Sequence, residues 1–404
     1  MSTDFFCTGK SYRLRHTNET TIDMLSEDVL LEIFDYCEMG DIVNHRTNPY
    51  QASHDAHGAW HSLVHVCRRW RQTIFASPRR LKLKLLCTNG TPVRENLDHF
   101  PILPIVIRYG NSFTPRDEDN LFAALEHPDR VFYIDVYSSN SRLRKMAAVM
   151  QKSFPVLTVL QLSSIDGVFW NIPALPHEFL NGSAPSLREI SSNAVPFPAL
   201  PTLLSSAKDL VVLRLKNIPG IGYVSPEAMV VCLATLTRLE TLHIEFRSPS
   251  SLPSRIRLPP ETRAVLPALT SFGFGGVCEY LEDLVSQIDC PQLDRIDITI
   301  NYFSGDDFRV AQLMEFVNRS DRLRPTLFRR ASISCGGIIS FSVVDNFWSA
   351  ASIRILCGDV EWLVSEMTHI LCQFSAILSY VAHLEISGSG VGACDLQAVR
   401  AEPA

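Results

Sequence analysis

One apolar pattern recurs along most of this chain after residue 127: an apolar residue is followed three and five positions later by two more. Six copies are clear: Val131, Ile134 and Val136; Leu157, Leu160 and Leu162; Leu210, Leu213 and Leu215; Leu239, Leu242 and Ile244; Leu269, Phe272 and Phe274; Leu293, Ile296 and Ile298. Weaker copies start at Leu187 and Phe328. Their first residues lie roughly 23 to 35 positions apart, which is typical of one structural unit repeated with irregular length.

The last two residues of each copy have the period of a strand with one buried face. Between copies the apolar spacing is helical, and two faces are clear: Leu143, Met146, Ala147 and Met150; and Leu281, Leu284, Val285 and Ile288. Ser225 followed by Pro226 predicts a capped helix start. Alternation of strand and helix predicts right-handed crossovers and a parallel sheet. The pattern resembles leucine-rich repeats, which implies an irregular α/β horseshoe solenoid over residues 79–386, with its first strand in Arg80–Leu85 and a long helix in Val360–Phe374.

Two amphipathic segments precede the repeats. In the first, Leu30, Ile33, Phe34 and Cys37 share a helical stripe, with Ser26 as a plausible N-cap. The second segment, starting at Trp60, repeats the pattern with Leu63, Val66, Cys67 and Trp70, and it ends in a cluster of arginines. A module of about 60 residues has only a marginal core of its own. We therefore expect part of this apolar surface to be covered by a partner protein.

Both segments resemble an F-box, the N-terminal docking module of many ubiquitin-ligase subunits. The matching residues are Leu25, Glu27, Val29, Leu30, Leu31, Ile33 and Phe34, then Leu63, Val66, Cys67, Arg68, Arg69, Trp70 and Arg71. This sequence departs from the usual pattern at Ser26, where the family has proline, and in residues 39–58, which form a longer connection and are predicted to be a loop. The stretch from Arg69 to Leu81 is similar to the F-box proteins of mushroom-forming fungi.

The resemblance implies an adaptor rather than an enzyme. The F-box, residues 21–78, would dock on a Skp-type adaptor carried by a cullin scaffold, and the solenoid would hold an unknown target protein for ubiquitylation. The implied docking residues are Leu25, Val29, Leu30, Ile33, Phe34, Leu63, Val66, Cys67 and Trp70. The alternative is a non-catalytic scaffold or regulatory module with no role in ubiquitylation. Residues 1–20 are expected to be disordered, and residues 387–404 to form a flexible tail.

The strand positions that lie between and after the buried residues are expected to project from the strand side of the solenoid. These candidates for target binding are Gln161, Arg214, Lys216, His243, Glu245 and Asp297. Each of them is equally compatible with an ordinary solvated strand position. Sequence alone does not identify hot spots, because these depend on burial within an interface.

Charge and cysteine usage indicate the compartment and the class of partner. A net charge of −6 argues against nucleic-acid binding, and the basic stretch Arg68–Lys84 is expected to pair with the acidic stretch Thr21–Asp41. Eleven cysteines without a CxxC pair indicate reduced thiols, as in the cytosol or nucleus. The start does not resemble a signal peptide, and the apolar run at 100–107 is too short to span a membrane.

Motifs for cofactor or metal chemistry are weak. Gly9-Lys10-Ser11 lacks the preceding strand and the glycine of a phosphate-binding loop. The glycines at 388–392 lack the helix and second strand that a dinucleotide site needs. His57, His61 and His65 are four apart, but their spacing does not match the usual structural zinc sites. We therefore predict neither a cofactor nor a metal.

Overall fold

The computed structural model describes residues 22–44, 62–78, 81, 83–99, 103–110, 114–166, 174–247, 263–302, 309–320, 322–323, 330–335, 338–345, 348–357, 373 and 383–388. Two compact units make up the chain, Met1–Leu83 and Lys84–Ala404. The predicted disordered segment 1–20, the C-terminal tail beyond Gly388 and the predicted helix at 360–374, apart from Gln373, lie outside the described residues.

The described part of the N-terminal unit contains a 3-10 turn at Ile22–Met24, helix α1 at Glu27–Asn44, helical residues Ser62 and Leu63, and helix α2 at Arg68–Ala76. Ser26 caps α1 as predicted, because its Oγ accepts a hydrogen bond from the Val29 amide at 3.4 Å. Helix α1 continues to Asn44, so the predicted loop does not begin at residue 39. Residues 45–58 of that stretch lie outside the described part.

The second amphipathic segment is not one continuous helix, which corrects the prediction. Ser62 and Leu63 are helical, residues 64–66 form a turn, and α2 starts only at Arg68. Cys67 is the N-cap: its Sγ accepts a hydrogen bond from the Trp70 amide at 3.5 Å. Leu63, Val66 and Cys67 therefore do not share a helical stripe with Trp70.

The second unit is built on a large sheet flanked by helices, which confirms a mixed α/β fold with a predominantly parallel sheet. Its strands are β1 Leu85–Cys87, β2 Ile105–Tyr109, β3 Val131–Ser138, β4 Val159–Ser164, β5 Glu189–Asn193, β6 Val212–Ile218, β7 Thr241–Phe246, β8 Ala264–Val265, β9 Ser271–Gly276, β10 Ile288–Asp289, β11 Arg295–Tyr302, β12 Arg330–Cys335, β13 Ile338–Asp345, β14 Trp348–Cys357 and β15 His383–Gly388. Thirteen of them form one sheet in the order β1-β2-β3-β4-β5-β6-β7-β9-β11-β14-β13-β12-β15, and β8 pairs with β10.

The sheet is not parallel throughout, contrary to the prediction. From β1 to β11 and on to β14 every neighbouring pair is parallel, but β13 runs antiparallel to both β12 and β14. Only two residues separate β12 from β13, and again β13 from β14. Connections this short can join antiparallel strands, whereas a parallel pair needs a crossover of a dozen or more residues.

The helices of this unit follow the strands in chain order. They are α3 Val93–His99, α4 Pro115–Leu125, α5 Asn140–Val149, α6 Leu200–Ser206, α7 Pro226–Leu233, α8 Cys278–Ser286 and α9 Ala311–Arg319, with 3-10 turns at Phe179–Gly182 and Gly220–Gly222. Helices α3, α4 and α5 contact one another in turn, as do α6 to α9. The predicted start at Ser225 is confirmed, since its Oγ accepts a hydrogen bond from the Ala228 amide at 3.3 Å.

The repeated apolar pattern forms the core of this unit. All three positions of the six clear copies are buried, and the third position of each copy lies inside a strand. The first residue of most copies closes a turn, donating its amide hydrogen to the carbonyl three residues earlier, as from Leu157 to Phe154 and from Leu210 to Ala207. This turn places each strand in the same register as its neighbour, so that Leu160 pairs with Ile190 and Ile190 with Leu213.

The start of the sheet differs from the prediction. The first strand of the sheet is Leu85–Cys87 rather than Arg80–Leu85, and β2 was not predicted from the sequence. Ile105, Val106 and Ile107 are all buried, so β2 has no apolar-polar alternation. A short continuous apolar run does not distinguish a buried strand from a buried helical turn.

An ion-pair cluster joins α4 to α5. Glu118 accepts hydrogen bonds from Lys145 Nζ at 2.6 Å and from Arg142 Nε at 3.0 Å. The bond from Lys145 lowers the pKa of the Glu118 carboxyl most, burial opposes this, and Arg142 lowers the pKa further. A carboxyl whose pKa is lowered by folding stabilises the fold above its unfolded-state pKa, and this contribution is lost as the pH falls through the folded pKa.

We expect Glu118→Gln to lower the free energy of unfolding by about 1 kcal/mol at pH 7, because the pairs are partly exposed. The difference from the wild type should shrink as the pH is lowered below the ordinary range of a glutamate. Urea denaturation at several pH values measures this. The control is Asp119→Asn on the same helix, where the side chain is exposed. A difference that is independent of pH would show that the charge of Glu118 does not stabilise the fold.

Candidate partner-binding surfaces

The residues proposed for adaptor docking fall into two groups in the structure. Leu30, Phe34 and Trp70 are buried and form the core of the N-terminal unit. The rings of Phe34 and Trp70 meet edge to face, with centroids 5.0 Å apart. Leu31, which was not part of the predicted apolar stripe, is buried with them. These residues hold the unit together and are not accessible to a partner.

Three large apolar side chains are exposed in the part of α1 whose side chains are described, residues 27–37. Val29, Ile33 and Tyr36 are 44%, 37% and 78% exposed, and they lie at i, i+4 and i+7 on one face of the helix. We refer to these three residues as the docking stripe. Cys37 was predicted to lie on the buried stripe but is exposed, because α1 buries the face that carries Leu31 instead.

Further apolar side chains are exposed in the same unit. Met24 and Ile22 lie just before α1, and Val66 lies just before α2. All three side chains are exposed. Only Val66 was predicted as a docking residue. Leu25, Leu63 and Cys67 are half-buried. A single exposed apolar residue is unremarkable, whereas a group on one small unit is typical of an interaction surface.

Arginines of the second segment fix the backbone that precedes the two helices. The guanidinium of Arg69 donates a hydrogen bond to the carbonyl of Leu25, at the start of α1. Arg71 Nε donates to the carbonyl of Val64 at 3.0 Å. The basic end of the motif therefore positions main chain within the unit.

The second surface is the outward side of the sheet, which we call the polar face. Because neighbouring strands pair in register, one residue from each strand lies in a single row: Arg108, Asp135, Gln161, Ser191, Arg214, His243, Gly273, Asp297 and Ser352. The row contains four of the six residues predicted for target binding. Lys216 and Glu245 lie two residues further along β6 and β7.

Most of the predicted target-binding residues already contact one another or a neighbour. Gln161 Nε2 donates to Glu189 Oε1 at 2.8 Å, and Arg214 contacts the same oxygen at 3.3 Å. Arg354 donates to Asp297 at 3.0 Å. These pairs are partly exposed, so each contributes little to stability. A partner would have to compete with them.

His243 and Glu245 lie over two glycines of β9. A Cβ atom on Gly273 would come within 2.1 Å of His243 Nδ1, and one on Gly275 within 2.7 Å of Glu245 Cγ. His243 Nε2 is 3.3 Å from Glu245 Oε2, and this contact lowers the pKa of Glu245 most, with Lys216 and Arg354 adding to it. The glycines are needed here because these two side chains cross the strand surface.

Asp135 belongs to the same face and was not predicted as a site residue. Burial raises its pKa most, the nearby Arg108 opposes this, and Glu189 raises it further by repulsion. Arg108 Nε is 3.8 Å away, too far for a hydrogen bond. The signal was present in the sequence, because Asp135 stands between Ile134 and Val136 in the first copy of the pattern.

Four cysteines of the second unit, Cys87, Cys232, Cys278 and Cys290, are buried. Burial raises the pKa of the Cys87 thiol to about 12, and its sulfur is 3.1 Å from the hydroxyl of Tyr109. A buried thiol of this kind is chemically inert. Among the described residues no group of three or more His, Cys, Asp and Glu side chains could hold a metal. His57 and His61 lie outside these residues, and His65 is exposed.

No helix in the described part of the chain is long and apolar enough to cross a membrane. Comparison with known proteins gives no assignment: no protein-family model matches this chain, and no curated protein matches it.

Proposed function

We propose that this protein is a substrate-recognition subunit of a cullin-based ubiquitin ligase. Its N-terminal unit would dock on a Skp-type adaptor through the docking stripe, and its second unit, an irregular leucine-rich-repeat-like solenoid, would hold a target protein. The protein would contribute proximity rather than chemistry, by raising the effective concentration of target lysines near a ubiquitin-conjugating enzyme. Such ligases act in the cytosol and nucleus, where we place this chain.

The docking stripe is the observation that carries the proposal. Val29, Ile33 and Tyr36 expose their apolar side chains on a helix whose other face already packs a core around Phe34. Apolar residues spaced at i, i+4 and i+7 are suited to binding in a groove or against another helix. Less than half of Val29 and Ile33 is exposed, so burying the rest of these two side chains is worth about 1 to 3 kcal/mol, which corresponds to roughly a tenfold to hundredfold change in affinity.

The polar face supports the second half of the proposal. It presents one row of side chains from β2 to β14, which is a long surface for a protein partner. Its charges are mixed, with Arg108, Arg214 and Arg354 beside Asp135 and Asp297. A surface of this composition favours recognition of a particular partner over general binding to a polyanion.

Calorimetric titration of the purified full chain with a purified Skp-type adaptor tests the proposal. We expect saturable binding of one adaptor per chain, and incorporation of both into a complex when the cullin is added. The absence of binding by a folded full chain would overturn it. Binding without ubiquitin transfer to any protein captured on the polar face would instead favour the scaffold alternative.

A further inference from the structure

Asp135 differs from the other carboxylates of the polar face. Glu189 accepts hydrogen bonds from Gln161 and Arg214, Glu245 is bonded to His243, and Asp297 is bonded to Arg354. Asp135 accepts no hydrogen bond from any of the residues described, and its nearest cation, Arg108, is 3.8 Å away. A half-buried carboxylate without a donor is left to be satisfied by water or by a ligand that brings a donor.

Arg108 makes its hydrogen bond to Tyr133 rather than to Asp135. Its Nη2 donates to the hydroxyl of Tyr133 at 3.3 Å, and its guanidinium lies over the Tyr133 ring, 5.2 Å from the centroid. Its Nε is buried and has no hydrogen-bond partner within the described part of the chain. In this arrangement the guanidinium contacts the tyrosine, and the Asp135 side chain remains 30% exposed.

Small side chains and an aromatic ring surround the open side of Asp135. Tyr137 is on the same strand two residues later, so it projects from the same face. Tyr137 pairs with Ser163 on β4. Strand β2 ends at Tyr109, which pairs with Val136, so β2 contributes no side chain next to Tyr137. The partner of Gln161 on β5 is Ser191. An approaching side chain would pass over serines and lie against a tyrosine ring.

We propose that this place on the polar face, Asp135 flanked by Tyr137 and Glu189, binds a lysine or arginine side chain in an extended basic segment of the target protein. The proposal rests on the function proposed above, in which the polar face holds the target. A cation would supply the donor that Asp135 lacks and offset the repulsion between Asp135 and Glu189. The ring of Tyr137 would add a cation–π contact.

The test uses the full chain and a fluorescent glycine-serine peptide that carries spaced lysines, with an arginine version and a glutamine version of the same length. We expect the two basic peptides to bind and the glutamine peptide not to bind. Asp135→Asn, which keeps the shape of the side chain, should weaken binding about tenfold. Tyr137→Leu should weaken it about two- to fivefold. Unchanged thermal unfolding of both variants would show that the fold is kept.

Asp209→Asn is the control, because it removes the same charge from the same unit at an aspartate that lies in a turn outside the polar face and already accepts a hydrogen bond from Arg238. It should change peptide binding less than twofold. Equal losses in the two aspartate variants would reduce the effect to net charge and overturn the proposal, as would equal binding of the basic and glutamine peptides. Adaptor titration of the same samples separates the two proposals: loss of peptide selectivity with intact adaptor binding refutes only this inference, and the reverse refutes only the docking proposal.

Discussion

Replacing Val29 and Ile33 together by aspartate should abolish binding to a Skp-type adaptor while the N-terminal unit stays folded. Both side chains are partly exposed, so the change removes less packing than a change at the fully buried Leu30 would. If their remaining exposed surface is buried on docking, the lost transfer free energy is about 1 to 3 kcal/mol, and two desolvated carboxylates would add a further penalty. Binding should therefore weaken by at least about two orders of magnitude.

Calorimetric titration with the adaptor measures this loss, and circular dichroism of the same samples checks the helical content. Val231→Asp is the matched control, because Val231 is an exposed valine on a helix of the other unit. Its adaptor affinity should equal that of the wild type. An aspartate pair on the docking stripe that leaves the affinity unchanged would exclude this face of α1 as the docking surface.

The choice of residues follows from the structure. A variant with aspartate at Leu30 would be uninformative, since Leu30 has no exposed surface and its replacement would bury an unpaired charge. Ile33, only three residues later, is accessible. Separating docking from folding therefore requires changes at positions 29 and 33 rather than at position 30.

Phe34→Ala should unfold the N-terminal unit, which is the second large effect that we expect. Removing a fully buried phenylalanine costs about 3 to 5 kcal/mol, and the edge-to-face contact with Trp70 is lost with it. A domain of this size has a total stability of only several kcal/mol. The variant should thus lose most of the folded population of α1 and α2.

Hydrogen exchange followed by mass spectrometry measures this directly in peptides covering residues 27–37, with peptides from β3 as an internal reference. Tyr36→Ala is the matched control on the same helix, because it removes a large aromatic ring that is 78% exposed. It should change the stability of the unit by less than about 0.5 kcal/mol. Similar losses of protection in both variants would contradict the assignment of Phe34 to the core.

The sequence predicted the repeated strands better than the N-terminal helices. A strand has period two, so each copy with apolar residues at the second and third positions specifies both the strand and its buried side. Leu160 and Leu162 are buried, and Gln161 between them lies on the polar face, as the pattern required. The residues of the polar face could therefore be predicted from the sequence alone.

The sequence was less informative about α1. The apolar residues near its start are Val29, Leu30, Leu31, Ile33 and Phe34. They are spread around the helix, so more than one helical face could be buried. Which face packs depends on where the second segment lies, and α2 starts at Arg68, later than expected. That decision is a tertiary contact between Phe34 and Trp70, which are distant in the chain.

The sequence by itself determined the class of fold, the position of most strands and the residues that project from the sheet, because strand periodicity is local. Only the tertiary structure decided which helix face is core and which carboxylates of the polar face are hydrogen-bonded, namely Glu189, Glu245 and Asp297 but, among the described residues, not Asp135. Burial and hydrogen bonding depend on residues from other strands and helices, and a periodic pattern does not specify which of those residues come into contact.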